Sequence, residues 1–254
     1  MPTIQRLEIR DENYKKPCSQ GVYNFRLLIE NDEALVQNMV LPMLWEEARI
    51  ESLGEPPVQL LTELPIAIHQ AGLSIQSLSI TLTPPASFTA LVSDAKGLSD
   101  LSAAMQRLEE FKLYIRCRKE QPGFFSTREL EGLQPLGQYL SAMLETNSLR
   151  EISLDFEAFF NDGDPVPPSF SFRTLPPSRL WKNLQSFYIS EAPLHFNEVA
   201  EFLETLDHPL PSLIWNATRL LGGTWADMLD LLRAHLSKAS RPAHFHLPDP
   251  SGAE

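Results

Sequence analysis

The chain has few cysteines, few glycines and a shortage of positive charge, and each shortage removes a class of function. Cys18 and Cys117 are the only two cysteines in 254 residues. They lie far apart and form neither a CxxC pair nor a Cys/His ligand set, so a reduced intracellular protein without a structural disulfide is expected, in the cytoplasm or the nucleus. The eleven glycines build no P-loop, no GxGxxG phosphate turn and no GxSxG elbow. Gly222-Gly223 precedes a helix, and ending a loop there explains the pair better than anion binding does. Lysine and arginine number 21 against 33 acidic residues, a formal net charge of -12. That balance argues against general nucleic-acid or anionic-membrane binding, which needs a positive surface. A local exception is Arg107, Lys112, Arg116, Arg118 and Lys119, read as a solvated or partner-facing patch. No apolar run approaches the ~20 residues of a membrane span. The opening MPTIQRLEIRDENYKKP is charged where a signal peptide needs an apolar stretch, which leaves the sequon Asn216-Ala217-Thr218 idle.

What the chain does contain is a recurring strand pattern. In Leu149-Arg150-Glu151-Ile152-Ser153-Leu154-Asp155-Phe156 the apolar residues 152, 154 and 156 alternate with polar ones, after an extra apolar residue three places upstream. The same pattern stands at Ile4–Ile9, Ile75–Leu82, Leu108–Ile115 and Leu184–Ile189, with a degenerate copy from Leu213 and a last short strand at Phe245-x-Leu247. Helical spacing separates the copies: Val58, Leu61, Leu64 and Ile68 closed by Gly72; Leu98, Leu101 and Met105; Leu136, Leu140, Met143 and Leu144. Asn197 is expected to cap a helix bearing Val199, Phe202, Leu203 and Leu206. Thr224, with Asp227 three residues on, is expected to cap another whose buried face is Trp225, Met228, Leu229, Leu232 and Leu236.

The second apolar residues of these copies fall at 7, 78, 111, 152, 187, 216 and 245. Beyond 78 they are roughly 29 to 41 residues apart, spacings typical of repeat arrays. The first gap is about two units long, and the irregular 22–50 region, with a pairing strand at Val22–Ile29 and a helix cap at Asn31-Asp32, is the place for a missing copy. A strand followed by a helix, repeated, favours parallel pairing because the helix supplies the crossover. The fold class expected is therefore α/β: an irregular leucine-rich-repeat-like solenoid of strand–helix units with a mostly parallel curved sheet. A conventional α/β domain with a central parallel sheet is the alternative. Residues 1–56 form an irregular cap or degenerate repeats, 57–247 the array, and 248–254 a flexible tail. The proline-rich 162–178 is read as an insertion, too polar for core; its Pro165, Pro167 and Pro168 could make a polyproline ligand, though an ordered loop accounts for them.

With these copies in view, L-R-E-I-S-L-D-F at 149–156, L-Q-S-F-Y-I-S at 184–190 and L-L-G-G-T-W-A-D-M-L-D-L-L at 220–232 resemble the irregular leucine-rich-repeat proteins common in fungi, where such repeats often follow an F-box. The resemblance covers roughly 57–247 and implies a non-enzymatic protein–protein interaction scaffold, the substrate-recognition part of an F-box-type ubiquitin ligase. The repeats lack the regular asparagine-containing consensus. Leu64-Pro65, the one Leu-Pro helix entry with useful flanks, falls inside a repeat helix, so the match is to the repeat half, with no F-box. A ubiquitin-ligase adaptor is implied as a partner by resemblance alone.

No catalytic constellation assembles, and no cofactor or metal is expected. His244 and His246, with His235 one helix earlier, give at most half a zinc site. Asp162 and Asp164 beside Gly163 do not continue into a cation loop. Trp181 and Trp225 are expected in the core, while Trp215 falls ambiguously. The polar positions between the strands' apolar ones, in order Glu8, Ser79, Lys112, Ser153, Tyr188 and His246, should line one sheet surface. The partner-binding residues expected there are Lys112, Tyr114, Glu151, Ser153, Asp155 and Tyr188, with the two tyrosines as anchors. The partner is a protein of unknown identity. The competing reading is an α/β-fold hydrolase with a pocket holding a serine or aspartate near His69, His195 or His208.

Overall fold

The computed structural model describes residues 2–11, 25–30, 58–82, 88–92, 94–115, 133–157, 171–216, 218–237 and 244–246. Eight strands form one sheet: β1 (Thr3–Asp11), β2 (Phe25–Glu30), β3 (Ser74–Leu82), β4 (Glu110–Ile115), β5 (Glu151–Asp155), β6 (Ser186–Ser190), β8 (Ser212–Asn216) and β10 (His244–His246). Their order is β10-β8-β6-β5-β4-β3-β1-β2. Every neighbouring pair is parallel except β1 with β2. Two short strands, β7 (Pro193–His195) and β9 (Arg219–Leu221), pair in parallel as a separate ribbon, which the sequence pattern did not suggest. The fold is thus α/β with a mostly parallel sheet whose strands sit largely in chain order.

Alternation explains the sheet. Leu7, Leu78, Phe111, Ile152, Phe187 and Leu213 stand side by side on successive strands, and Ile9, Ile80, Leu113, Leu154, Ile189 and Trp215 form the next row. All twelve are buried in one apolar cluster, the arrangement that a period of two dictates when one face meets a core. The extra apolar residue three places upstream (Ile75, Leu108, Leu149, Leu184) is buried in the same cluster. The residue after it carries the ladder into the preceding turn: Glu109 N donates to Gln76 O, Arg150 N to Glu109 O and Gln185 N to Arg150 O, at 2.7–2.8 Å, and Ser212 N, at the start of β8, donates to Gln185 O at 3.0 Å.

The second layer is helical: α1 (Leu60–Gln70), α2 (Ala95–Ala104), α3 (Leu133–Leu144), α4 (Phe196–Thr205) and α5 (Trp225–Leu236). Their buried residues, among them Leu61, Ile68, Leu101, Leu140, Met143, Phe202 and Met228, join the strand residues in the same cluster. Gly72 closes α1 with φ 80°, a conformation that suits glycine. Within α1, Pro65 lacks the N–H that would reach Leu61 O. The Tyr139 hydroxyl from α3 donates to that carbonyl at 3.2 Å instead, so a helix defect in α1 is satisfied by a side chain two helices further along the chain. Other turns are tied similarly by side chains: Thr146 and Ser148 hydroxyls to Gln106 O, Asn183 Nδ2 to Asn147 O, and Trp181 Nε1 to Leu144 O, at 2.9–3.0 Å. These varied donors serve without any regular asparagine.

Several expectations are corrected. The copy at 213 lies three residues from its expected register: Leu213 pairs with Phe187 and Trp215 with Ile189, Leu210 is the upstream apolar residue, buried with them, and Asn216 is exposed. β1 pairs directly with β3, so among the described residues no further copy stands between them. The strand expected at 22–29 is β2, on the outer side of β1 and antiparallel to it. Asn197 lies inside α4, whose N-cap is His195. Thr224 does cap α5 in a capping box with Asp227, but Trp225 and Leu229 are 38% and 39% exposed. Met228 and Leu232 of the same expected face are buried. Finally, Phe172, Leu175 and Ser178 of the proline-rich segment are buried. Phe172 and Ser178 open two 3₁₀ turns, Phe172–Thr174 and Ser178–Leu180, and Leu175 follows the first; no α-helix is described between β5 and β6. The expectations on Asn31-Asp32, Cys18, Cys117, Arg116, Arg118, Lys119, Asp162, Asp164, Pro165, Pro167, Pro168 and 248–254 lie outside the described residues.

Candidate functional site

The face of the sheet opposite the apolar rows carries three polar rows, fixed by the same register. The middle row runs Glu8, Ser79, Lys112, Ser153, Tyr188, Ile214 and His246. One side of it holds Arg6, Ser77, Glu110, Glu151, Ser186, Ser212 and His244. The other holds Arg10, Thr81, Tyr114, Asp155, Ser190 and Asn216. The six expected partner-binding residues therefore occupy three adjacent strands and fall within one contiguous area. Lys112, Ser153 and Tyr188 share a row, Tyr114 and Asp155 share another, and Glu151 stands beside Lys112.

Side-chain length decides what this surface presents. Parallel strands are about 4.8 Å apart, so long side chains shade short ones on adjacent strands. Ser79 and Ser153 are 6% exposed and Asp155 is 9%, whereas Lys112, Tyr114, Glu151 and Tyr188 are half-buried. The serines are thus spacers, and the four longer residues form the relief. Asp155 is held locally, its Oδ1 accepting the Glu157 N–H at 3.2 Å.

The charges are arranged in pairs. Lys112 Nζ sits 2.8 Å from Glu151 Oε1. The Glu151 hydrogen bond, helped by the nearby Glu151 and Glu110 charges, holds the Lys112 ammonium above its ordinary range against the opposing effect of burial. Arg6 and Arg10 both pair with Glu8, and Ser77 Oγ donates to Glu110 at 3.2 Å. Charge is concentrated on β1, β4 and β5. On β6 and β8 the same rows read Ser186, Tyr188, Ser190, Ser212, Ile214 and Asn216, with no ionisable group other than the tyrosine. Ile214 was missed because the register expected from Leu213 is three residues off and left Trp215 ambiguous. The structure puts Trp215 in the core at 1% exposure and leaves Ile214 half-buried beside Tyr188. The upstream pattern Leu210-x-x-Leu213 carried that information.

Ser178 lies in a pocket, yet none of His69, His195 and His208 lines it; its hydroxyl is engaged with Thr205 Oγ1 and Phe202 O. His208 Nε2 is 2.9 Å from Leu184 O, and His235 Nε2 accepts the Leu210 N–H at 3.4 Å, both tying turns. Among the described residues no group of three or more His, Cys, Asp or Glu could hold a metal ion, and no helix is long and apolar enough to cross a membrane. The chain matches no family model, no curated protein and no solved structure.

Proposed function

We propose that this protein is an irregular leucine-rich-repeat-like solenoid that binds a protein partner through the polar face of its sheet and catalyses no reaction. The observation carrying this reading is the chain-order parallel pairing from β1 to β10, which brings one outward residue from each unit into a continuous row, as repeat scaffolds do at their binding surfaces. Within the row, Tyr188 and Ile214 lie on adjacent strands among short polar neighbours. A half-buried aromatic–aliphatic pair among small polar residues has the composition of an interface hot spot. The paired charges on β1, β4 and β5 suit a rim that governs orientation and encounter rate more than affinity.

The test is comparative affinity capture with three forms of the chain: wild type, Tyr188→Ala with Ile214→Ser, and Glu204→Lys on the exposed side of α4. A partner retained by the α4 variant and lost from the sheet-face variant, at unchanged thermal stability, supports the reading. A partner set unaffected by the sheet-face variant defeats it. The narrower ubiquitin-ligase reading rests on sequence resemblance alone, and a pull-down from the full chain that recovers no adaptor removes it.

A further inference from the structure

A pocket of about 260 Å³ lies between the segment Phe172–Ser178 and α4. Its apolar walls are Phe172, Leu175, Pro176, Pro177 and Phe202, with Glu198 and Glu201 on one side. The two glutamates are three residues apart on α4, so their side chains lie on one helix face. Glu198 is half-buried, and one of its oxygens accepts the Phe172 N–H at 2.9 Å, which fixes the carboxylate against the pocket wall. Glu201 is held by Arg173 Nε at 3.4 Å in a pair whose side chains are 60% and 67% exposed. Such a solvated pair contributes little and can be displaced. Two carboxylates against one guanidinium leave the pocket one negative charge in excess, in a chain already at -12.

We propose that this pocket receives an arginine side chain from a polypeptide partner. The aliphatic stem would lie along Pro176, Pro177 and the Phe202 ring. The planar guanidinium, with five donors, would span Glu198 and Glu201. Lysine offers a point charge in place of a fork and fits less well.

The test is titration of the full chain with Nα-acetyl-arginine-methylamide, followed through the Phe172 amide resonance, which reports on the Glu198 hydrogen bond. A saturable millimolar shift is expected, weakening with added salt and about tenfold weaker in Glu198→Gln, the scale of one lost charge-assisted hydrogen bond. Glutamine keeps the acceptor for Phe172. Should that variant nevertheless fail to fold, Glu201→Gln at its exposed position carries the same comparison. Absence of a saturable shift, or an equal one from the norleucine analogue, overturns the proposal. A free alkylguanidine binding as tightly as the capped arginine overturns the polypeptide assignment in favour of a small amine ligand.

Discussion

Trp181→Phe probes the tie between neighbouring units most directly. Trp181 is fully buried. Its indole N–H donates to Leu144 O at 2.9 Å in the last turn of α3, and its ring stacks on Phe187 at 6.5 Å and meets Phe202 edge-on at 6.0 Å. Phenylalanine keeps a ring in place but cannot donate, which leaves a helix-terminal carbonyl without this partner at a cost of about 1 kcal/mol. The missing ring atoms remove a further ~1–2 kcal/mol of burial and packing. The expected loss is therefore about 2–3 kcal/mol, a large part of a typical domain's stability of ~5–15 kcal/mol. Trp181→Ala should cost about 5 kcal/mol, the large-to-small penalty plus the same carbonyl. In urea titrations followed by far-UV circular dichroism, Trp181→Phe should lower the midpoint by about 1 M with an unchanged slope. A shift below roughly 0.2 M would mean the indole contributes nothing across that boundary. A reduced slope would mean the repeats had uncoupled and that a single unfolding free energy no longer applies.

Gly222 and Gly223 both have positive φ, 71° and 73°, but a Cβ at Gly223 would stand 2.8 Å from Phe196 Cγ while one at Gly222 meets nothing within 4 Å. Gly222→Ala should cost about 1 kcal/mol and Gly223→Ala about 2–3 kcal/mol; thermal denaturation in a Phe196→Ala background should erase most of the difference, and its persistence would refute the clash. Thr224→Ala removes a capping box in which Thr224 Oγ1 accepts the Asp227 N–H at 3.1 Å and Thr224 N donates to Asp227 at 3.0 Å; a loss of about 1 kcal/mol is expected by thermal denaturation. Tyr139 is fully buried, and burial pushes its phenol well above the ordinary tyrosine range. The unfolded chain therefore loses this proton first, so stability is intact below about pH 10 and falls above it by ~1.4 kcal/mol per unit. Lys112, whose proton is also held more tightly when folded, acts in the same direction but weakly, being partly exposed. Tyr139→Phe should cost about 1–2 kcal/mol at neutral pH, by orphaning Leu61 O, and yet show a flatter decline in urea midpoint above pH 10. An equal alkaline decline in both forms would assign the sensitivity elsewhere.

The strand pattern alone determined most of the architecture and much of the candidate face. An alternation of period two, entered from an apolar residue three places upstream, admits one inward set per copy. Rows such as Leu78–Phe111–Ile152–Phe187, and the polar row beside them, follow once adjacent copies pair. Local chemistry likewise sufficed for Gly72 and Thr224, because a positive φ and an unsatisfied helix start are properties of a few consecutive residues. Where two local readings competed, the tertiary structure chose. At 210–216 the register begun at Leu213 turns Asn216 inward, whereas hydrogen bonding of β8 to β6 puts Leu213 and Trp215 in the core and Ile214 on the opposite face. On α5 helical spacing puts Trp225, Met228, Leu229 and Leu232 on one broad apolar face. The helix is buried along the stripe of Met228 and Leu232, leaving Trp225 and Leu229 half out of the core. The proline-rich segment looked like an outward insertion because prolines break periodicity. Between β5 and β6, where no α-helix is described, the sheet's apolar face still needs cover, and Phe172, Leu175 and Trp181 supply it. Local sequence set the period, whereas the choice of phase belonged to contacts between residues distant along the chain, since burial on each element depends on what packs against it.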